Sequence, residues 1–342
     1  MTGLNYTVAS MFAGIGGICL GFKNAGARLV WANEIDKYAC ITYRENFGCD
    51  YLVEGDIREI HTNDIPDFDV LTAGFPCQAF SIAGYRKGFE DDRGNVFFEV
   101  MRVIEAKRPR VVFLENVKNL KSHDHGKTFT VIYDALTNAG YTVKYDVLNA
   151  LEYGNIPQNR ERIYIVGFLN QKESEQFKFP APIKLNKTIH DIIDIHEKKP
   201  NKYYYSNSKY YPMLKEGMKR KDTVYQLRRI YVRENKSNVC PTLTANMGGG
   251  GHNVPLIIDD HDIRKLTPNE CFGFQGFPDD FKIPAGLSDT NAYKQAGNSV
   301  VVPVVERIAR NIVEVLRKAD NKMDQEDSEI SIEQGTLFTK VG

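Results

Sequence analysis

The sequence predicts an α/β fold: a large domain on a parallel sheet, joined by a smaller, mixed domain. Three observations carry this. Short apolar runs of strand type at residues 6–11, 28–32, 51–53, 70–73 and 110–114 are interleaved with helical-period or polar segments, the pattern of repeated βαβ units. These runs end in glycine or polar residues, as strands do where an open sheet presents its carboxyl edge to a ligand. From about Leu169 the composition turns to lysine, tyrosine and asparagine, and order returns only after Ile263. The expected division is 1–168 for the first domain, 169–262 for the second, 263–318 for a segment returning to the first, and 319–342 for a flexible acidic tail.

Taken in order, residues 6–11 lead into Phe12-Ala13-Gly14-Ile15-Gly16-Gly17 and then a helical segment to Ala25. A Gly-rich turn at a helix N-terminus lets the backbone approach a nucleotide-like ligand. The next strand ends at Asn33-Glu34-Ile35-Asp36, about 20 residues on, where an acid accepts hydrogen bonds from ribose hydroxyls. A third ends at Gly55-Asp56-Ile57, and Asp56 suits the exocyclic amino group of a purine. The fourth run, 70–73, enters Gly74-Phe75-Pro76-Cys77-Gln78. Pro76 fixes its own φ and pushes Phe75 into an extended conformation, so the turn is stiff. A single cysteine is more often a small buried hydrophobe than a nucleophile; the neighbours of Cys77 in the chain favour the nucleophile. Residues 81–95 are glycine-rich and charged and read as a lid. The fifth run ends in Glu115-Asn116-Val117, which puts a carboxyl beside the Cys77 turn. A helix over 127–139 and a strand over 141–149 precede Gln158-Asn159-Arg160-Glu161-Arg162, which opens the strand 163–168. A further helix is expected over 300–316.

Lysine plus arginine equals aspartate plus glutamate, 44 of each, so a globally basic nucleic-acid binder is not indicated. The charge is unevenly placed. Residues 198–236 hold twelve Lys/Arg against three acids, with Tyr203, Tyr204, Tyr205, Tyr210, Tyr211, Tyr225 and Tyr231 interleaved. That composition suits phosphate neutralisation with aromatic contacts to bases, or a lysine-rich surface over a small tyrosine core. Six cysteines without a C-x-x-C pair suggest neither zinc nor a disulfide framework, and a reducing cytoplasm is the expected setting. No apolar stretch approaches the roughly 18 residues of a membrane span.

Together, Pro76-Cys77, Glu115-Asn116-Val117, the Gln-x-Arg-x-Arg run at 158–162 and Gln295-x-Gly297-Asn298-Ser299-Val300 resemble the DNA cytosine-5 methyltransferases, most closely the bacterial restriction-modification methylases. The resemblance covers about 5–168 and 263–316 and leaves 169–262 in the place of the variable target-recognition domain. It implies a Rossmann-like fold dependent on S-adenosyl-L-methionine, with S-adenosyl-L-homocysteine as product and no metal. It further implies that Cys77 is the nucleophile toward cytosine C6, that Glu115 serves N3, and that Arg162 with Arg160 binds O2 and nearby phosphate. The cofactor would lie among Phe12, Gly14, Ile15, Gly16, Gly17, Glu34, Ile35, Asp56, Ile57, Pro76, Asn298 and Val300. Double-stranded DNA would meet Gln78, Ser81, Ala83, Arg93, Gln226, Arg229, Tyr231 and Thr242, with Arg229 reading a guanine and Gln226 at the site vacated by the flipped cytosine. The implied protein is a monomer in the bacterial cytoplasm, with a cognate restriction endonuclease acting on the same site without physical contact.

Two residues depart from the family pattern. Ala83 replaces a serine of close relatives in the lid, and Gly273 stands where an arginine usually precedes Gln275-Gly276-Phe277-Pro278. Three rivals are weighed against this reading. A nucleotide-dependent oxidoreductase explains neither Cys77 nor Glu115, and a catalytically silent DNA-binding relative does not explain the complete Cys77, Glu115, Arg162 set. A transfer RNA methyltransferase would not need so large a recognition segment.

Overall fold

The computed structural model describes residues 6–75, 96–228, 230–248 and 254–338. Strand β1 (Thr7–Met11), helix α1 (Gly17–Asn24), β2 (Arg28–Glu34), α2 (Lys37–Phe47) and β3 (Leu52–Glu54) follow the expected alternation. Asp36 caps α2 by accepting from the amides of Tyr38 and Ala39, which stops β2 and starts the helix within two residues. Then come β4 (Val70–Gly74), α3 (Val96–Lys107), β5 (Val111–Val117), α4 (Lys127–Asn138), β6 (Thr142–Asn149), β7 (Gln158–Asn159) and β8 (Glu161–Phe168). The main sheet has the order β3-β2-β1-β4-β5-β8-β6. Its first five strands are parallel, and β8 alone runs against its neighbours. The expected all-parallel sheet is thus mixed at one edge, because the short connection after β6 turns the chain straight back. Val8, Ala9, Val70, Leu71 and Val111 to Leu114 are fully buried, as continuous apolar strands covered on both faces must be.

The first core reaches past residue 168. After α5 (Gln171–Gln176), Phe177 and Phe179 pack into it, and Lys144 Nζ donates to the carbonyls of Ser174 and Phe177. The smaller domain contributes α6 (Tyr211–Gly217), β9 (Tyr225–Leu227), β10 (Val232–Glu234), β11 (Cys240–Pro241) and β12 (Leu256–Ile258). Its sheet, β10-β9-β12-β13, takes its last strand, β13 (Ile263–Lys265), from the returning segment. Leu214, Met218, Tyr225, Leu227, Leu256 and Ile263 form its core, with Tyr205, Tyr210 and Tyr211 packed against it. Of the seven tyrosines named above only Tyr231 is exposed, so the tyrosines chiefly build this small core.

Helices α7 (Pro268–Phe274), α8 (Asp289–Asn298) and α9 (Val302–Phe338) complete the chain. Thr267 and Glu270 form a reciprocal capping box around Pro268, the strongest local helix-start signal in the segment. Glu270 also pairs with Arg264, which is wholly buried and meets Asp259 on its other side. Removing one member of such a triad strands a buried charge, at a cost of about 3–5 kcal/mol. The helix expected over 300–316 runs on to Phe338 and takes in most of the stretch set apart as a tail. Asp320 holds it to the body through Arg110, at 2.8 Å, and Tyr6 Oη, at 2.7 Å. No helix among the described residues is long and apolar enough to cross a membrane.

Candidate active site and cofactor pocket

The carboxyl ends of β1, β2, β3 and β4 open on a cavity of about 550 Å3, within the range of small-molecule sites. Phe12, Gly14, Ile15, Gly17, Glu34, Ile35, Asp56, Ile57, Asn298 and Val300 all line it. Phe12 and Gly14 have positive φ, 53° and 56°, and a Cβ built on Gly14 would meet nothing within 4 Å, so the turn leaves open space above its backbone. Gly16 stands behind this wall. Its φ is 88°, and the ring of Phe47 fills the place of a Cβ. Ile35, 63% exposed, offers an apolar face at the rim, suited to a flat base.

The two acids are more engaged than expected. Glu34 Oε2 accepts from Gly14 N at 2.7 Å, and its Oε1 accepts from the amides of Ile35 and Asp36 at 2.9 and 2.8 Å. These bonds fix the carboxylate against the Gly-rich turn and leave little acceptor capacity for a ligand diol. Asp56 is held by the Arg58 guanidinium, which keeps its carboxyl below the usual range. Arg58, together with Lys294 paired to Asp36 at 2.6 Å, lines the same cavity. Neither cation was singled out from the sequence, where isolated Lys and Arg carry no periodic signal.

Beside the cavity, the register pairs Gly74 with Glu115. A Cβ on Gly74 would lie in ordinary contact with Glu115 Oε2, at 3.5 Å, so the acid stands directly beside this strand end. Asn116 Nδ2 donates to Phe75 O at 2.8 Å, while its Oδ1 accepts from Val117 N. The end of β5 is thereby fixed to the start of the loop after β4. Glu115 is buried, and burial raises its pKa against the opposing pull of Arg162 and Arg160. Arg162 Nε stands 3.1 Å from Glu115 Oε1.

Arg160 is not placed to touch a base. It is 2% exposed; Nη1 donates to Leu243 O at 2.6 Å, and Nη2 donates to Gly297 O at 3.1 Å and to Ser299 O. Burial, then Arg162, pushes its pKa down to about 9, still high enough for a charged guanidinium at neutral pH. Its Nε is buried without a partner among the described residues.

On the recognition side, Gln226 lies in β9 opposite Arg233, and its Oε1 accepts from Arg228. Tyr231 is 54% exposed, and neighbouring Ile230, at 86%, is the most exposed of the large apolar side chains described. Arg228 N donates to Tyr231 O. Thr242 is exposed and donates through Oγ1 to Asn159 O at 2.6 Å. Pro76, Cys77, Gln78, Ser81, Ala83, Arg93 and Arg229 lie outside the described residues.

This set is matched across nearly the whole chain by the family model for C-5 cytosine-specific DNA methylases, over residues 6–314. The chain belongs to that family. It is a DNA (cytosine-5) methyltransferase, of a family that uses S-adenosylmethionine. Type II methyltransferase M.Bsp6I of Bacillus sp. strain RFL6 is 60% identical over 309 residues, 89% of this chain and 98% of the relative. Type II methyltransferase M.SsoII of Shigella sonnei is 43% identical over 323 residues, 91% and 81% of the two chains. Among solved structures, the Dnmt2 methyltransferase of S. pombe superposes with a TM-score of 0.71 at 22% identity, covering 91% of this chain and 99% of the other. That likeness is one of fold.

Two glycines of the methyltransferase acquire a physical reason. A Cβ on Gly273 would come within 2.8 Å of Ile192 Cγ2, so a side chain from the linker into the smaller domain fills the position of the missing arginine. A Cβ on Gly297 would come within 2.2 Å of the Thr244 carbonyl group. That contact joins the recognition segment to the cofactor wall, and sequence reading missed it because no periodicity signals two backbones in contact.

Proposed function

We propose that this methyltransferase flips a target cytosine out of double-stranded DNA and methylates its C5 through a covalent enzyme adduct, with S-adenosylmethionine in the cavity at the sheet edge. When bound, that cofactor supplies an electrophilic methyl group. The buried, neutral-leaning Glu115 paired to Arg162 beside this cavity is the observation that carries the reading. Cytosine C5 is a poor nucleophile, and addition of the Cys77 thiolate to C6 makes C5 the nucleophilic carbon of an enamine. Electron density reaches N3, where Glu115 donates a proton or shares one. Arg162 takes O2, adding fixed positive charge where negative charge develops. After methyl transfer the C5 proton leaves to a base, and β-elimination breaks the C6–S bond to free Cys77.

The cofactor's ribose falls to Glu34, its adenine to Ile35 and Asp56, and its remaining wall to Asn298 and Val300. Glu34 would have to share its oxygens with the three amides it already serves, and Asp56 would exchange part of its Arg58 pairing for the amino group. Extrusion of the base leaves a vacancy that Gln226 fills, while Arg229 reads guanine through O6 and N7. The likeness to Type II methyltransferases supports a role in protecting host DNA against a cognate restriction endonuclease of the same word; in this reading the protein acts as a monomer in the bacterial cytoplasm.

The test uses duplex DNA carrying 5-fluorocytosine at the site, mapped first by bisulfite sequencing of DNA from cells making the chain. Fluorine at C5 cannot leave as a proton, so the C6–S bond persists. A denaturation-stable protein–DNA adduct that needs S-adenosylmethionine and disappears in Cys77→Ser is expected. Adduct formation by the serine variant would reject Cys77 as nucleophile.

A further inference from the structure

The methyl-transfer chemistry gives Arg160 no atom to touch, yet its guanidinium is engaged in the seam between the two domains. Its two terminal nitrogens reach three carbonyls that belong to separate parts of the protein. Leu243 O lies in the recognition segment; Gly297 O and Ser299 O flank Asn298 on the wall of the cofactor cavity. Arg160 itself sits two residues before Arg162, the partner of Glu115. A planar, charged fork that is 2% exposed fixes its acceptors' relative positions far better than a single ammonium can.

The surrounding anchors make the path stiff. β11 pairs with β7 at Cys240 with Gln158 and Pro241 with Asn159. Gln158 Oε1 accepts from Leu243 N at 3.1 Å, and Thr242 Oγ1 donates to Asn159 O. Thr244 lies directly against Gly297. A displacement of residues 242–244, where Thr242 is expected to meet DNA, therefore reaches residues 297–299 through Arg160 and through that backbone contact.

We propose that Arg160 is a positioning residue that joins the DNA-recognition segment to the cofactor wall, so that DNA and cofactor each tighten the binding of the other. This rests on the reading that the cavity holds the methyl donor. By linkage the effect is equal in both directions.

The experiment measures S-adenosylhomocysteine affinity by calorimetry on the full chain, with and without the mapped cognate duplex, for wild type, Arg160→Lys and Gln158→Leu. Failure of the wild type to bind S-adenosylhomocysteine at all would fall on the cavity assignment rather than on Arg160. The wild type is expected to gain at least about fivefold in affinity when DNA is present. Arg160→Lys keeps the charge but not the three-way reach, and should reduce that gain to under twofold, with each ligand's separate affinity within threefold of wild type. Gln158→Leu removes the bonds to Leu243 N, Phe274 O and Gln275 Oε1 but leaves Arg160 and its three carbonyls in place, and should weaken DNA binding while keeping the gain. An undiminished gain in Arg160→Lys overturns the proposal. So does loss of both separate affinities in that variant, which marks a merely structural role, or equal loss of the gain in Gln158→Leu.

Discussion

Gly297→Ala tests the joint between recognition segment and cofactor wall by adding a single methyl group. Gly297 is the penultimate residue of α8, and alanine is a better helix former by about 1 kcal/mol. Were its surroundings open, the substitution would stabilise the protein. The new Cβ would instead stand 2.2 Å from Thr244 C and O and 2.4 Å from Ala245 N, where ordinary contact begins at 3.4 Å. The obstacle is backbone, held in place by Gln158, Asn159 and Arg160, so it cannot turn aside as a side chain can. Residues 244–245 must retreat by about 1 Å or α8 must shift. Overpacking of this kind costs about 1–3 kcal/mol, enough to reverse the sign of the helix-propensity gain, and a 1 Å misplacement near a reacting centre can cost about a hundredfold in rate. The variant should melt below wild type and transfer methyl groups about 10–100 times more slowly. Calorimetric melting and a radiolabelled methyl-transfer assay on the mapped duplex measure both. A melting temperature at or above wild type, with transfer within twofold, would show that the segment yields freely and that the contact constrains nothing.

Glu115→Gln should abolish most transfer while DNA still binds, and it has a stability signature. Burial raises the Glu115 pKa, so its contribution is full below the unfolded carboxyl value of about 4.3 and is lost as pH rises through the folded value. Relative to wild type, the glutamine variant should therefore gain stability as pH rises from about 4.3 through the folded value and hold level beyond it; melting scans across pH showing a constant difference would reject the buried-acid assignment. Glu34→Ala should weaken S-adenosylhomocysteine by about 1–3 kcal/mol, and unchanged calorimetric affinity would refute its place at the ribose. Arg229→Ala should cost about 1–3 kcal/mol on the cognate duplex and relax preference at one base pair. An equal loss on cognate and random duplexes would make it a phosphate contact.

The strand ends were legible because each is a short apolar run broken by glycine or an acid, and the turns at Gly14, Glu34, Asp56 and Glu115 fall where that pattern puts them. Strand β8 running antiparallel between β5 and β6 was not legible, since periodicity carries no direction. The tyrosines misled in part: interleaving with lysine is equally the pattern of a short strand with one face buried, as Tyr225 is, and one face wet. Arg160 and Arg162 are two residues apart and share β-alternation, so the spacing suggests one role for both. Arg160 is turned instead into the seam between domains, where only the three-dimensional placement of Leu243, Gly297 and Ser299 reveals its partners.

The pairing of β11 with β7 bears on how such proteins could exchange specificities. Residues 240–243 come after the β9–β10 hairpin in the chain, but their hydrogen bonds run to Pro157, Gln158, Asn159 and Arg160. A graft that replaced everything from 169 to 262 would import a foreign strand into that seam and remove Phe177 from the first core. Cuts placed after Phe179 and before Val239 would exchange the hairpin of β9 and β10 while leaving the seam native. Ile192 would travel with the graft, and a donor with a smaller residue there would leave Gly273 facing a hole. A productive chimera thus needs its donor matched at Ile192 and at Leu214, Met218, Tyr225 and Leu227, which pack on the retained Leu256 and Ile263, as well as joined at the right ends.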